Sequence, residues 1–543
     1  LSGLVGSEMC IRDSADLERP EPSMPKATPT PQPSQPRKAT CPHCWTSFLP
    51  QEAMFIAAHP ELVGDPVLGE HVPKRLKLDE VRVEGKEARD PKGFPVVDRA
   101  CPACRLQVPA PMLLKQPRFL SMAGAPSSGK TYYITALVHA LRQQLPRDFN
   151  LLFEYASSHD IKTIDDLVSR LYATGPQGNA DQPVYLEKTE ATGGATYNQI
   201  TISGQTIDLP KPFLFALKPT PANIDYAKKA KKLHQHLAFY DCAGEHFRYD
   251  YQRQATKGTS RAFGHFAHAD ALLFTYDPLQ DLTAIQRLSQ KSQDPQVKEL
   301  RLVSQQDKTL EAVVQQFRSL QKLSPDSRIK APLLVCVQKY DVWGKLIPKW
   351  AQLDATSVVR FPEAGTSALD VQELNRHSLH IRKFLHDISP MFVAQAESNF
   401  SVVRYFAVSA LGTSPTLVEV NTEDEYGNRV SGTKLCVRPK DIHSFRVTDP
   451  ILWLFSHWKL VREAVPSAKK PAGMPEAKVV DETAESVRFV LPDSKETLVV
   501  DREYMGTQVV DPFTGAPAWV PASTASEGMN AIGKWFGFGG RSH

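Results

Sequence analysis

Apolar residues in this chain form short continuous runs, and segments with helical spacing separate several of them. Runs of four to six residues that are apolar without alternation are typical of strands buried on both faces. They occupy residues 119–122, 237–240, 271–276, 333–337 and 405–408. Tyr133, Leu137 and Leu141 recur at helical spacing, and residues 161–172 also favour a helix. Strands that alternate with helices predict an α/β fold with a mostly parallel sheet.

The first apolar run leads into a glycine-rich sequence, GAPSSGKT at residues 124–131, which fits G-x-x-x-x-G-K-[ST]. A strand, a glycine-rich loop and a helix are the context that a phosphate-binding P-loop needs. Glycine lets backbone N–H groups approach a phosphate closely, and the helix N-terminus adds its own unpaired N–H groups. The residues expected to cradle the phosphates are Gly124, Ser127, Ser128 and Gly129. Lys130 is expected to reach the β- and γ-phosphates, and the Thr131 hydroxyl to bind Mg²⁺.

The second apolar run ends in Asp241, and Gly244 follows three positions later. In a P-loop protein, an aspartate at this strand end holds Mg²⁺, usually through water. The glycine allows a backbone N–H to approach the γ-phosphate. Asp-x-x-Gly is a weak signal alone, but a buried strand before it and a P-loop upstream strengthen it. We therefore expect Asp241 and Gly244 at the phosphate site.

A later apolar run, residues 333–337, leads into Gln338, Lys339, Tyr340 and Asp341. This sequence resembles the N-K-x-D motif of GTPases, with Gln in place of Asn, and the resemblance implies a carboxylate that accepts from N1–H and from the 2-amino group of guanine. Adenine offers no such pair of donors, so the Asp341 carboxylate favours a guanine nucleotide. The Lys339 stem is expected to cover one face of the base.

In this order, the stretches resemble the motifs of P-loop GTPases of the Ras-like and translation-factor superclass, over residues 113–463. D-C-A-G-E at Asp241 is similar to D-T-A-G-Q, and Q-K-Y-D at Gln338 to N-K-x-D with Gln in place of Asn. Ser409, Ala410 and Leu411 resemble the fifth motif, which implies that the Ala410 N–H meets guanine O6. The resemblance implies GTP or GDP and Mg²⁺ as ligands. The front end and the long insertion before Asp241 also resemble double-GTPase-type proteins of bacterial multi-gene systems.

The same resemblance implies a switch I threonine at Mg²⁺ and the γ-phosphate. Thr189 is our choice, with Thr192 and Thr196 as alternatives. Glu245 stands where Ras-like proteins carry the glutamine that orients water, and His246 can do that work as a histidine does in translation factors. The Glu245 charge would repel the γ-phosphate, so we favour His246. We expect hydrolysis to be slow, or absent, without an activating partner protein.

Two C-P-x-C sequences near the N-terminus predict a metal site. Each places two thiols on one tight turn, and two such knuckles supply the four sulfurs of a tetrahedral zinc site. The cysteines are Cys41, Cys44, Cys101 and Cys104. Their separation exceeds the spacing of about 15–20 residues that is usual between knuckles. The sequence shows no export signal, so we expect a reducing compartment and favour structural zinc over disulfides.

Composition bounds the rest of the prediction. The 543 residues carry a formal charge of +4, too small to indicate nucleic-acid binding by itself. An apolar run of about 18 residues is absent from the sequence, so we expect no membrane span and a cytoplasmic location. The predicted divisions are a disordered segment 1–38 (residues 1–14 resemble translated adapter sequence), a zinc-ribbon-like module 39–112, a GTPase domain 113–463, a linker 464–477, a small β-module 478–521 and a tail 522–543.

Three functions are consistent with these motifs. We favour a GTP-hydrolysing switch with a zinc-bearing front end and a protein effector or activating partner. An ATPase or nucleotide kinase would use the same P-loop, but Asp341, Ser409 and Ala410 argue against adenine. A nucleotide-binding scaffold without turnover is the third function, and Glu245 is the residue that favours it.

Overall fold

The computed structural model describes most of the chain between residues 37 and 521. The described ranges are 37–85, 87–156, 161–175, 178–187, 197–202, 205–241, 259–299, 302–348, 353, 359–360, 367–423, 429–464, 473–482, 486–501, 505–511 and 513–521. Lys38–His543 forms one compact unit, and Leu1–Arg37 is a separate unit. The predicted tail lies outside the described residues, as does the predicted N-terminal segment apart from its last two residues.

Short strands build the N-terminal module. They are β1 Ala39–Thr40, β2 Ser47–Phe48, β3 Met54–Ile56, β4 Val63–Asp65, β5 Gly69–Pro73, β6 Arg75–Leu76, β7 Arg82–Glu84, β8 Glu87–Arg89, β9 Arg99–Ala100 and β10 Gln107–Val108. In the described part of the module, a four-stranded sheet has the order β10-β9-β3-β6, and β1-β2, β4-β5 and β7-β8 form separate pairs. The module therefore has its own small β-core.

The central part of the chain supplies a large sheet and several shorter strand pairs. Its strands are β11 Arg118–Gly124, β12 Leu151–Tyr155, β13 Tyr197–Ile202, β14 Gln205–Pro210, β15 Phe213–Pro219, β16 Gln235–Asp241, β17 Ala271–Tyr276, β18 Leu333–Val337, β19 Val359–Arg360, β20 Ala368–Leu369, β21 Val403–Ala407, β22 Thr416–Glu423 and β23 Arg429–Cys436. Seven of them form a sheet of order β12-β15-β16-β11-β17-β18-β21. Only β15 runs against the other six. The fold is thus α/β with a mostly parallel central sheet.

Helices connect and cover these strands. The α-helices are α1 Ala110–Leu114, α2 Lys130–Phe149, α3 Ile161–Tyr172, α4 Tyr226–Leu233, α5 Leu282–Leu288, α6 Pro295–Lys298, α7 Gln306–Gln321, α8 Tyr340–Trp343, α9 Val371–Ile388, α10 Pro390–Asn399 and α11 Asp449–His457. The 3₁₀ helices are Pro50–Glu52, Leu78–Glu80, Thr259–His268, Pro278–Gln280, Gly344–Leu346 and Pro439–Asp441. No helix in the described part of the chain is long and apolar enough to cross a membrane.

Side chains of the central sheet alternate between two cores, one on each face. In β17, Leu273 belongs to the core that contains α2 and α11, whereas Leu272 and Phe274 belong to the core that contains α7, α9 and α10. These strands are apolar without alternation because both of their faces are covered. The first core is centred on residues such as Leu141, and the second on residues such as Phe317, both fully buried.

The C-terminal strands form a separate small β-core. They are β24 Lys478–Glu482, β25 Ser486–Val490, β26 Thr497–Asp501, β27 Thr507–Val510 and β28 Pro517–Val520. Val487 and Phe489 are fully buried there, and Leu379 of α9 packs against the same cluster. The Lys383 ammonium also lies 4.9 Å from the centre of the Phe513 ring. Helix α9 therefore contacts both the central sheet and this β-core.

Candidate functional site

The carboxyl ends of the parallel strands lie in register at one edge of the central sheet. Met122 pairs with Asp241, and Val337 pairs with Ala407. The carboxyl ends of β11, β16, β18 and β21 therefore lie along the same edge, where ligands bind in open α/β sheets. A cavity of about 430 Å³ lies at this edge, large enough for a small-molecule ligand. Most of the sequence-predicted ligand residues line it: Ser127, Ser128, Gly129, Lys130, Thr131, Gln338, Lys339, Asp341, Ser409, Ala410 and Leu411.

Gly124 ends β11 at a place that only glycine fits. Its φ is +154°, and a Cβ atom there would lie 2.1 Å from Thr275 Oγ1 and 2.6 Å from the Thr275 carbonyl oxygen. The Ser128 and Thr275 hydroxyls are hydrogen-bonded at 2.8 Å. Gly129 takes a left-handed φ of +88° and opens α2. The neighbouring strand β17 therefore fixes the start of the loop, and Gly129 turns the chain into the helix.

The cationic and hydroxyl groups at the start of α2 face the loop and the neighbouring strand. Lys130 Nζ donates to the carbonyl oxygens of Gly124 at 3.0 Å and Ala125 at 2.8 Å. The Thr131 hydroxyl donates to Asp241 Oδ2 at 3.3 Å. A hydroxyl and a carboxylate in contact are oxygen ligands of the kind that Mg²⁺ prefers. Thr131 and Asp241 are therefore the described residues that could hold this ion.

Several predicted site residues lie outside the described residues. They are Thr189, Thr192, Thr196, Gly244, Glu245 and His246. The structure describes the chain up to Glu187 before the three threonines, and up to Asp241 before Gly244. Glu187 lines the cavity, and the Leu186 backbone N–H donates to the Tyr132 hydroxyl at 2.9 Å. The described residues before this gap therefore line the cavity and are hydrogen-bonded to α2.

The far end of the cavity is built by the segments after β18 and β21. Burial and the neighbouring Asp294 carboxylate raise the pKa of Asp341, while the Ser409 hydroxyl and Lys339 lower it. Gln338 is 2% exposed, its backbone carbonyl accepts from the Trp343 indole at 2.6 Å, and no described residue is a partner of its Nε2. This end therefore presents a partly buried carboxylate and a buried amide donor.

Lys339 is held by two groups that the sequence motifs did not indicate. Its Nζ bonds to the Asp277 carboxylate and donates to Gln296 Oε1 at 2.7 Å. Burial raises the pKa of Asp277, which is fully buried, and Lys339 lowers it. Asp277 directly follows a buried strand, and Asp241 ends one, so a similar sequence signal could have identified Asp277. Gln296 lies in a four-residue helix with no comparable signal.

A third wall of the cavity comes from a hairpin that sequence reasoning missed. Strands β22 and β23 pair along their whole length, and Leu435 and Cys436 of β23 line the cavity. Val437 pairs with Val184 through two backbone hydrogen bonds of 2.9 Å. Tyr185 follows, with Lys434 Nζ 5.9 Å from its ring centre. These contacts join segments about 250 residues apart, and a local apolar pattern carries no signal for such a pairing.

The predicted cysteines converge in the N-terminal module. All four sulfurs lie within 4.8 Å of one another, and the pairs Cys41–Cys104 and Cys44–Cys101 are each 3.7 Å apart. Four sulfurs placed tetrahedrally about 2.3 Å from one zinc ion are about 3.8 Å from each other. Burial raises the pKa of the Cys41 thiol well above its usual value, so a cation would be needed to hold it as a thiolate. The cluster fits a zinc ion.

The two knuckles have nearly the same geometry. The His43 backbone N–H donates to Cys41 Sγ at 3.3 Å, and the Ala103 backbone N–H donates to Cys101 Sγ at 3.4 Å. The residue after the second cysteine of each knuckle takes a left-handed φ, of 60° and 62°. Backbone donors to the sulfurs orient the ligands of a metal site. This repeated turn places the two sulfurs of each knuckle on the same side of the turn.

The first knuckle packs directly on the central sheet. The Tyr240 hydroxyl donates to the Pro42 carbonyl and accepts from Trp45 Nε1 at 3.3 Å. The Tyr240 ring stacks on His265 at 4.7 Å, and His265 Nδ1 is 2.6 Å from the Ser121 hydroxyl. Tyr240 directly precedes Asp241. The cysteine cluster is therefore connected through one side chain to the strand end at the cavity.

Comparisons with known proteins found distant likenesses. The chain is 25% identical, over 368 residues, to the putative ESX-1 scaffolding and assembly protein SaeC of Mycolicibacterium smegmatis, a match that covers 66% of this chain and 79% of that protein. A chain of the signal recognition particle receptor SRb-GTP/SRX complex from Chaetomium thermophilum is 11% identical, with a TM-score of 0.22, over 55% of this chain and 94% of that one. A TM-score that low does not establish a shared fold. No family model matches the chain.

Proposed function

We propose that this protein is a Mg²⁺-dependent GTP-binding switch that hydrolyses GTP slowly without a partner. The observation that carries the proposal is the partly buried Asp341 carboxylate, which lines the same cavity as the P-loop residues. A P-loop binds phosphates whatever the base. The base must then be read at the other end, where Asp341 accepts from N1–H and the 2-amino group of guanine. The Gln338 amide lines the same cavity, and its Nε2 would donate to the N7 or O6 acceptor of guanine.

The phosphate end supports the same proposal. Lys130 already faces the loop carbonyls, so a short movement of its ammonium would bring it to the β- and γ-phosphates. Thr131 and Asp241 would hold Mg²⁺, and the ion would neutralise charge on the phosphates during transfer to water. Orientation of that water is assigned to His246, with Glu245 as the competing residue, and Thr189 is assigned to the γ-phosphate. The Ala410 N–H is assigned to guanine O6.

A nucleotide-binding scaffold without turnover is the second candidate. The relative from Mycolicibacterium smegmatis is named a putative scaffolding and assembly protein, and that name favours a role with protein partners in a bacterial multi-protein system. Glu245 favours the same candidate, because its charge would oppose a γ-phosphate. An ATPase is disfavoured because adenine has no donor pair for Asp341. In either candidate, the four cysteines bind a structural zinc ion. Four sulfur ligands complete its coordination and leave no open position for water or substrate.

The test is nucleotide binding and turnover by the purified full chain. We expect GTP to bind at least tenfold more tightly than ATP. Removal of Mg²⁺ should weaken the binding of GTP. Lys130→Ala should abolish binding and turnover together, whereas Lys308→Ala, an exposed lysine on α7, should change neither. Equal affinity for ATP and GTP would contradict the proposal.

Single-turnover hydrolysis separates the two candidates. A switch should convert bound GTP to GDP, slowly, and His246→Ala should reduce that rate while Glu245→Gln should not. Bound GTP that is recovered intact after prolonged incubation would favour the scaffold. A rate that changes only with Glu245→Gln would show that the assignment of His246 is wrong.

A further inference from the structure

A second carboxylate faces the base end of the cavity. Asp294 precedes α6, lines the cavity with Lys339 and Asp341, and is 1% exposed. Its Oδ1 accepts from the Gln296 backbone N–H at 2.8 Å and so caps the short helix. Its Oδ2 is buried, and no donor among the described residues bonds to it. One oxygen of Asp294 thus has a structural role, and the other does not.

A buried carboxylate oxygen without a donor is unfavourable, because burial removes the water that would solvate its charge. The nearby ammonium of Lys339 is already bonded to Asp277 and Gln296. Asp294 lies close enough to raise the pKa values of both Asp277 and Asp341. The carboxylates of Asp277, Asp294 and Asp341 therefore lie close together here, and the Lys339 ammonium bonds to the first of them. The surplus of acceptors fits the end of a ligand that presents several N–H donors.

Guanine presents three such hydrogens on one edge, one at N1 and two on the 2-amino group. The two oxygens of Asp341 can accept the N1 hydrogen and one amino hydrogen. We propose that Asp294 Oδ2 accepts the second amino hydrogen, which makes Asp294 a second specificity-determining residue for the guanine base. This inference rests on the proposed function. Inosine triphosphate, which lacks the 2-amino group but keeps N1–H and O6, is the probe that isolates the contact.

The variant Asp294→Asn tests this role while it keeps the cap, since asparagine caps helices about as well as aspartate. We expect the affinity for GTP to fall about 10- to 100-fold, the loss of a hydrogen bond to a charged acceptor. The affinity for inosine triphosphate should change by less than about threefold, because that base has no hydrogen to lose at this position. Asp294→Ser, which also caps but has no second oxygen, should give the same pattern if the asparagine variant folds poorly.

Asp281→Asn is the matched control. Asp281 caps α5 by accepting from the Ala284 N–H at 3.0 Å, and its other oxygen already accepts from the Tyr276 hydroxyl at 3.2 Å. It should leave both nucleotide affinities unchanged. Equal losses for GTP and inosine triphosphate in Asp294→Asn, or no loss of GTP affinity, would overturn this inference alone. Wild-type protein that binds neither nucleotide would overturn the proposed function and this inference with it.

Discussion

At the scale of single residues, Gly124 is a position where a side chain has no room. We expect Gly124→Ala to destabilise the fold by about 3 kcal/mol, since overpacking of this kind forces the backbone to shift. A Cβ atom at this position would lie 2.6 Å from the Thr275 carbonyl oxygen, a backbone atom that cannot rotate away. Gly432→Ala is the control, because a Cβ there meets nothing within 4 Å. Denaturant unfolding of both variants measures the difference, and similar stabilities would contradict the prediction.

Asp341 gives the second prediction, which concerns pH. Burial raises its pKa above 3.8, the ordinary value for aspartate, and the nearby Asp294 raises it as well, whereas Ser409 and Lys339 lower it. Only the ionised form offers acceptors to guanine, so GTP affinity should fall as the pH drops through that raised pKa, above pH 3.8. The stability of the free protein should change in the opposite direction. Because the pKa of Asp341 is raised in the folded state, the free energy of unfolding decreases as the pH rises through that pKa.

The measurement is the dissociation constant for GTP between pH 7.5 and 4.5. Asp341→Asn should bind GTP about 10- to 100-fold more weakly at neutral pH, because an amide replaces one acceptor by a donor. Its affinity should also vary less with pH than that of the wild-type protein. The titration of GTP itself affects both proteins equally and cancels in the comparison. Parallel pH profiles would show that Asp341 does not titrate in contact with the base.

At the scale of elements, the buried strands were the part that the sequence predicted best. Residues 271–276 and 333–337 form strands with the expected bounds, because burial on both faces leaves an unbroken apolar run. Segments that reach the site through distant pairing were not predictable. The hairpin β22–β23 and the Asp294 turn have ordinary local sequences, and only their tertiary neighbours bring them to the cavity.

The cysteine knuckles are the element that a zinc ion would hold together. Cys104→Ser removes one of four ligands, so we expect the zinc content of the purified protein to fall from about one ion per chain to nearly none. The melting temperature should fall as well, since the metal stabilises the folded module. Cys336→Ser alters a buried cysteine of β18, outside the cluster, and should keep its zinc. Wild-type protein without zinc by metal analysis would refute the site.

At the scale of the whole molecule, Tyr240 joins the N-terminal module to the central sheet. Tyr240→Phe leaves the Pro42 carbonyl and the Trp45 indole without their buried hydroxyl partner. We expect a loss of about 1–3 kcal/mol of unfolding free energy with the zinc content unchanged. Tyr172→Phe should have a smaller effect, because its partner Ser444 also donates to the Ala410 carbonyl at 2.7 Å. Equal losses would mean that the Tyr240 contact adds nothing specific.

A ribosome that makes this chain exposes β11 and the P-loop long before their neighbours in the sheet exist. Strand β11 pairs with β16 and β17, and the cavity is completed only by the hairpin that ends at Cys436. The roughly 300 residues between Thr131 and Cys436 take about 15–60 s to synthesise at about 5–20 residues per second. During that interval no nucleotide can stabilise the nascent chain through the complete cavity. The apolar strand β11 must therefore avoid aggregation by other means, and tight nucleotide binding marks a chain whose synthesis has passed the hairpin.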